Sequence, residues 1–288
     1  MPGYIEKALA RFNYDRSRPK CHSPGIVPPI IYGRKGPQPT VSDDAAALSP
    51  ERIKWLQQVI GVLLYYARAV DPTMLTEVNR LASHQAHATV ATEAAALRLL
   101  DYAATYPNAS IVYKPSDMIL RIYSDASYNS ESNARSRAGG FFDLIHHPTP
   151  DQVIPAPLNG GITFISSILT AVAASAGEAE YGALFVNGQM GIILRSTLED
   201  MGYPQPPTLI YCDNQCATGL ANNTITPNKS KSFDMRYHWI RDRIGQRQFK
   251  VFWDRGSDNY ADFFTKTHPA RHHKEFRGKY VTDLVFHR

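Results

Sequence analysis

Ile119-Leu120-Arg121-Ile122-Tyr123-Ser124-Asp125 reads as a strand that delivers a carboxylate at its end, and the fold turns on how often the chain repeats that device. Leu209-Ile210-Tyr211-Cys212-Asp213 repeats it. Gly177-Glu178-Ala179-Glu180-Tyr181-Gly182-Ala183-Leu184 opens a long helix and carries Glu180. Asp258-Asn259-Tyr260-Ala261-Asp262-Phe263 sits early in a short helix and carries Asp262. Two strand ends and two helix starts can meet at the carboxyl edge of a sheet, where open α/β sheets place their sites. Four carboxylates in one place repel each other and persist only with cations among them. Hard Mg²⁺, or Mn²⁺ in its place, suits all-oxygen ligands. The chemistry this implies is two-metal phosphodiester hydrolysis, with the ions roughly 3.5–4 Å apart.

Working outward, strand periodicity begins near residue 110. Stretches 111–113, 118–124, 138–145 and 161–166 read as strands, the last three forming an antiparallel meander. A proline-rich loop, 146–159, separates the final pair. A helix over 176–201 carries Gly182, Gly188 and Gly191, which point to close packing on the sheet. Strand 208–212, helices 214–221 and 232–247, and strand 248–253 complete an alternating β/α half. A helix over 258–267 and a basic tail follow. The fold class is therefore α/β, a mixed five-stranded sheet flanked by helices.

Upstream, 3–13 reads as a short helix and 14–48 as a proline-rich connector bearing five basic residues from Arg16 to Lys35. Ser49-Pro50-Glu51 then starts a helix cleanly, with an N-cap, a proline at the first position and an acid at the dipole's positive end. Asp71-Pro72 breaks it. A second helix runs through Leu75, Val78 and Leu81, and a third spans 87–105. Three helices with short links form a small helical unit.

Composition bounds the function only loosely. Of 288 residues, 43% are hydrophobic, which is ordinary for a globular core. The net charge of +5 leans toward an anionic partner. Three cysteines, Cys21, Cys212 and Cys216, are too few for a disulfide framework. No apolar run has signal-peptide or membrane-span character, so an intracellular, non-membrane protein is expected.

At these residues the sequence resembles the type 1 ribonuclease H domain of copia-type long-terminal-repeat retrotransposon polyproteins. The matching stretches are Tyr123-Ser124-Asp125-Ala126-Ser127-Tyr128, the segment from Ser175 to Leu184, Tyr211-Cys212-Asp213-Asn214-Gln215-Cys216-Ala217, and Asp258 through Lys266. Arg236-Tyr237-His238-Trp239-Ile240-Arg241 matches the stretch before the fifth strand. Residues 60–105 resemble the segment joining polymerase to nuclease, and Met1 to Phe12 the end of the polymerase region. The implied division is 1–48 polymerase tail and connector, 49–108 helical connection unit, 109–270 nuclease domain, and 271–288 basic C-terminal tail. Tyr-x-Asp-Asp is missing, since Val41-Ser42-Asp43-Asp44 lacks the tyrosine. The chain therefore reads as a piece of a longer polyprotein, without polymerase activity and with the polymerase portion as its partner.

The resemblance implies metal-ligand and catalytic roles for Asp125, Glu180, Asp213 and Asp262, with two Mg²⁺ ions. Glu178 rivals Glu180. The family pattern favours Glu180, and two residues along a helix point in different directions. The implied reaction is hydrolysis of the RNA strand of an RNA–DNA hybrid during reverse transcription. Ser127, Asn129 and Asn214 are expected near the RNA 2′-hydroxyl. Lys229, Lys231, Arg236, Arg241 and Arg243 form a candidate phosphate stripe, with Arg236 and Arg243 facing out and Arg135 and Arg137 as further candidates. Loop 253–258 lacks the histidine that many cellular relatives carry before the last acid, which bears on turnover. Cys212 and Cys216 lack a following histidine pair, so zinc is not expected. His268, His272, His273 and His287 are read as part of a disordered tail. The competing reading is a catalytically inactive remnant that binds hybrids without cutting.

Overall fold

The computed structural model of the chain describes residues 1–27, 45–147, 157–225 and 234–284, with the side chains of 234–237 outside that description. The chain forms two compact units: Met1–Val112 together with Thr267–Arg288, and Tyr113–Lys266.

The first unit starts with α1 (Tyr4–Arg11). α2 (Pro50–Ala69) follows, with the Ser49 hydroxyl accepting the Arg52 N–H at 3.4 Å and Pro50 at a position that needs no donor. Leu56, Val59, Ile60 and Leu63 recur at helical spacing on α2, and all are buried. The Asp71 carboxylate accepts the Thr73 N–H at 3.2 Å and turns the chain into α3 (Leu75–His84). α4 (Val90–Thr105) starts later than its alanine-rich sequence suggests. Thr89 and Thr92 cap it reciprocally, and 85–87 form a separate 3₁₀ turn. The strand expected at 111–113 is absent; the paired residues are instead β1 (Ala109–Ser110).

The second unit holds the sheet. β2 (Ile119–Glu131), β3 (Arg135–Ile145) and β4 (Thr163–Ile168) run antiparallel as a meander. α5 (Ala176–Asp200) leads to β5 (Thr208–Cys212), α6 (Gln215–Ala221), α7 (Asp234–Gly245) and β6 (Phe249–Trp253). The sheet order is β4-β3-β2-β5-β6, with β5 parallel to both β2 and β6. This is a mixed five-stranded sheet flanked by helices, with a helical unit before it in the chain. Ile122, Ile210 and Phe249 from three strands pack with Leu184 of α5 and Ile240 of α7. Each such side chain contributes roughly 1.5–3 kcal/mol on burial. Gly191 permits the close approach of α5, since a Cβ there would lie 2.8 Å from Ile122 Cδ1.

The core also takes in charge. Arg121 faces Asp143 across the β2–β3 ladder, and both side chains are fully buried. Two hydrogen bonds join them, Nε to Oδ1 at 2.9 Å and Nη2 to Oδ2 at 2.5 Å. Such a pair is tolerated only when both ends are satisfied.

Two expectations need correction. The helix expected over 258–267 is a pair of 3₁₀ turns, Gly256–Asp258 and Asp262–Phe264. Asn259 between them is extended, at φ −83 and ψ 100, because its side chain is engaged elsewhere. The expected disordered tail is α8 (Ala270–Tyr280), followed by β7 (Thr282–Asp283), which pairs with β1. Arg277, 4% exposed, donates to Asp71 at 2.8 Å, Thr73 at 2.7 Å, Tyr102 at 2.9 Å and Asp283 at 2.6 Å. The segment from Thr267 on therefore belongs to the first unit, not to a tail beginning at 271. The His268 ring stacks on His272 at 4.3 Å, and burial pushes the buried His273 down to about 3. His287 lies outside the described residues.

Candidate active site

β2 and β5 are in parallel register, with Ser124 opposite Cys212. Asp125, the next residue on β2, and Asp213, which directly follows β5, therefore lie side by side on neighbouring strands, although β2 runs on to Glu131 instead of ending at Asp125 as expected. Glu180 reaches them from the second turn of α5. Asp262 reaches them from the 3₁₀ turn after β6. Their charges act on one another. Burial pushes Asp125 up to about 7, with the Asp262 and Asp213 carboxylates adding to it. Burial pushes Glu180 up to about 10, again with Asp125 and Asp213 adding to it. Asp213 is raised by burial and by Asp262. Asp125 is 4% exposed and Glu180 7%.

The choice between the two glutamates has a local cause. The Ser175 hydroxyl caps α5 by accepting the Glu178 N–H at 3.2 Å, and Glu178 Oε2 reaches back to accept the Ala174 N–H at 2.7 Å. That reciprocal cap uses the Glu178 carboxylate. Glu180 points inward instead, and it is the carboxylate whose charge couples to Asp125, Asp213 and Asp262.

Neighbouring groups shape the cluster. Thr265 donates from Oγ1 to Asp125 Oδ2 at 2.9 Å. The Lys266 ammonium lies 2.5 Å from Asp262 Oδ1. Burial works against that ammonium, but Asp262, Asp125 and Asp213 outweigh it and raise its pKa. The Trp253 indole N–H donates to Asp213 O at 2.9 Å. A Cβ on Gly256 would sit 2.9 Å from Asp213 Oδ2, so a side chain there would press on that carboxylate. Thr265 and Lys266 fall three and four residues after Asp262, and that spacing is the signal by which a sequence reading could have assigned them roles.

The donor set fits divalent cations. Glu180, Cys212 and Asp213 offer atoms within 4.8 Å of one another. Burial, with the Glu180 charge, pushes the Cys212 thiol up, so it stays neutral and is a poor ligand. The remaining donors are carboxylate oxygens, which suit Mg²⁺ or Mn²⁺. Three carboxylates raised by burial and mutual repulsion are what a bound cation would relieve.

The other site candidates fare differently. Ser127 Oγ is spent on Thr265 O at 2.7 Å and Ser130 Oγ at 2.5 Å. Asn129 adopts φ 51 in the irregular part of β2. Asn214 caps α6, its Oδ1 accepting the Ala217 N–H at 2.9 Å. Arg241 is half-buried on α7. Arg243 is half-buried, its guanidinium over the Trp239 ring at 5.4 Å and bonded to Gln246 and Gln248. An apolar ring beside a long stem draws it down. Arg137 is fully buried against Glu131 at 2.8 Å and is no phosphate contact, while Arg135 donates to the carbonyls of Leu169 and Thr170. Lys229 and Lys231 lie outside the described residues, as does the side chain of Arg236. No helix among the described residues is long and apolar enough to cross a membrane.

No protein-family model matches the chain. It is 26% identical over 266 residues to the retrovirus-related Pol polyprotein from transposon TNT 1-94 of Nicotiana tabacum, an alignment covering 92% of the chain and 19% of that protein. It is 27% identical over 267 residues to the retrovirus-related Pol polyprotein from transposon RE1 of Arabidopsis thaliana, covering 91% of the chain and 16% of that protein. The chain thus spans less than a fifth of the length of these relatives. Among solved structures, the N-terminal RNase H domain of rv2228c from Mycobacterium tuberculosis aligns with 56% of the chain and 97% of its own, at 13% identity and a TM-score of 0.35. Over nine-tenths of its length the chain is similar to the retrovirus-related Pol polyproteins of transposons.

Proposed function

We propose that the second unit is a divalent-metal-dependent nuclease that hydrolyses the RNA strand of RNA–DNA hybrids during reverse transcription. The observation that carries this reading is the meeting of Asp125, Glu180, Asp213 and Asp262, from four separate elements, at one edge of the sheet. The similarity to Pol polyproteins supports it, because reverse transcription leaves RNA paired with its DNA copy. One solved neighbour, LC11-RNase H1, is described in complex with an RNA/DNA hybrid.

Asp125, Glu180, Asp213 and Asp262 would hold two Mg²⁺ ions. When bound, the ions supply Lewis-acid activation of water and charge stabilisation at the scissile phosphate. The chain's own residues do the positioning. Thr265 orients the Asp125 carboxylate through its hydroxyl, and Trp253 fixes the backbone at Asp213. Lys266 neutralises part of the carboxylate charge at Asp262. Asn214, next to Asp213, caps α6 through Oδ1, and its Nδ2 amide would be the donor to a ribose hydroxyl. The polymerase portion of a longer polyprotein is the proposed partner, with the first unit as the connection segment.

The test is cleavage of an end-labelled RNA–DNA hybrid with Mg²⁺, Mn²⁺ or EDTA, beside an Asp213→Asn variant. Metal-dependent cutting of the RNA strand is expected, with a loss of at least about 100-fold in the variant, the scale at which even indirect damage to a metal site is felt. Hybrid binding without cutting by the wild type would favour the inactive-remnant reading instead.

A further inference from the structure

Asp125, Glu180 and Asp213 are set by regular elements: the first lies within β2, the second within α5, and the third directly follows β5. Asp262 is not. It stands in a three-residue 3₁₀ turn on an otherwise irregular stretch between β6 and α8. A ligand on such a segment needs something else to hold its distance from the others, because a centre of hard cations tolerates little error in ligand placement.

Asn259 is placed to do this. It is 5% exposed, and both ends of its side-chain amide are used. Nδ2 donates to Ser124 O at 2.9 Å, and Oδ1 accepts the Ala261 N–H at 3.1 Å. Ser124 immediately precedes Asp125, and Ala261 immediately precedes Asp262. One amide group therefore ties together the two backbone positions from which two of the carboxylates depart. The surroundings are built around this tie. Gly139, the cross-strand partner of Asp125, has no Cβ; one there would lie 2.5 Å from Ala261 O and 2.6 Å from Thr265 Cγ2. Ser124 is held at its hydroxyl as well, by Asn187 Nδ2 at 2.8 Å, and the same nitrogen donates to Gly139 O at 2.8 Å. The Gly139-Gly140 pair and Asn187 thus let the irregular loop dock against β2 and β3 without slack.

We propose that Asn259 is a positioning residue that sets the separation of Asp125 and Asp262 and thereby the affinity of the carboxylate cluster for divalent cations. The inference rests on the metal-dependent reading above. A side chain that orients metal ligands from one layer out is worth about 10–100-fold in metal affinity when removed.

The experiment uses the full chain and three variants. Asn259→Ala removes both bonds. Asn259→Ser keeps a hydroxyl that can still accept the Ala261 N–H as a local turn but cannot reach Ser124 O. Asn159→Ala is the control, because Asn159 forms a similar amide clamp at the opposite end of the meander. It accepts the Lys114 N–H at 2.7 Å and donates to Leu144 O at 2.7 Å. Mn²⁺ and Mg²⁺ isotherms are measured by calorimetry, and melting curves are taken in EDTA. Both Asn259 variants are expected to weaken metal binding about 10–100-fold, and to lower kcat on an RNA–DNA hybrid more than they raise KM. Asn159→Ala is expected to lower the melting temperature while keeping wild-type metal affinity. Metal binding by the Asn259 variants as tight as wild type overturns the proposal. So does an equal loss of affinity in Asn159→Ala, which would mark the effect as general destabilisation. A wild type that binds Mn²⁺ yet leaves the hybrid whole defeats the nuclease reading alone, and the isotherms still decide the role of Asn259. A wild type that binds no divalent cation overturns both.

Discussion

At the scale of single residues, the cluster is an arrangement of repulsions with the Lys266 ammonium beside it. Lys266 sits 2.5 Å from Asp262, and its charge also acts on Asp125 and Asp213. It stands where a metal's charge would be felt, so it stabilises the metal-free site and competes with the metal. Lys266→Met is therefore expected to lower the melting temperature in EDTA and to tighten Mg²⁺ binding. The pair is half-exposed, so its worth is about 0.2–1 kcal/mol, or roughly 1.4- to fivefold in affinity. Calorimetric titration of the variant checks this, and weaker Mg²⁺ binding would show that Lys266 aids the metal instead. Asp125 and Asp213 could be picked from the sequence because each follows a hydrophobic strand-like run, and Glu180 because it opens a long helix; Asp262 stands on a 3₁₀ turn where a helix was expected. Asn259 could not be picked, because its meaning lies in a bond to Ser124, 135 residues away in the chain.

At the scale of elements, two contacts carry measurable consequences. α5 packs closely on the sheet where Gly191 leaves room for Ile122, and its glycines signalled that closeness in the sequence. Gly191→Val should overpack this contact and cost about 1–3 kcal/mol. Urea unfolding followed by tryptophan fluorescence would report it. α8 gave no such signal. Its buried positions His273, Arg277 and Tyr280 have helical spacing, but the first two are polar, so the pattern does not read as an apolar stripe. Its anchor is Arg277, whose burial makes sense only with Asp71, Thr73, Tyr102 and Asp283 around it. The Arg277→Met variant leaves Asp71 buried without its partner, an expected loss of about 3–5 kcal/mol. Adding Asp71→Asn should recover part of that loss. A double variant no more stable than Arg277→Met would mean that the pair is not what holds α8.

At the scale of the whole molecule, the carboxylate cluster links stability to pH and to metal. Asp125 is raised to about 7 in the folded chain and Glu180 to about 10, against about 3.9 and 4.3 for the same groups unfolded. A raised folded value means that the native state holds these protons longer, so stability falls as pH rises. The contribution is fully present below about pH 4 and is lost as pH climbs through 7 for Asp125 and toward 10 for Glu180. The metal-free protein should therefore melt at a lower temperature at pH 8 than at pH 5. Mg²⁺ should raise the melting temperature more at pH 8, because it binds the ionised cluster. Asp125→Asn with Glu180→Gln should flatten both trends, and a melt series across that range with and without EDTA decides it. The sequence alone determined the order of strands and helices from residue 118 to 253 and the class of the sheet. Those features are written in local periods of 2 and 3.6 residues and in cap and turn chemistry. Only the tertiary structure decided which glutamate turns inward, that Arg121, Arg137 and Arg277 are buried, and that the last segment returns to the helical unit. A charged side chain is tolerated in a core only when partners brought in from elsewhere in the chain satisfy it, and no local pattern encodes where those partners will be.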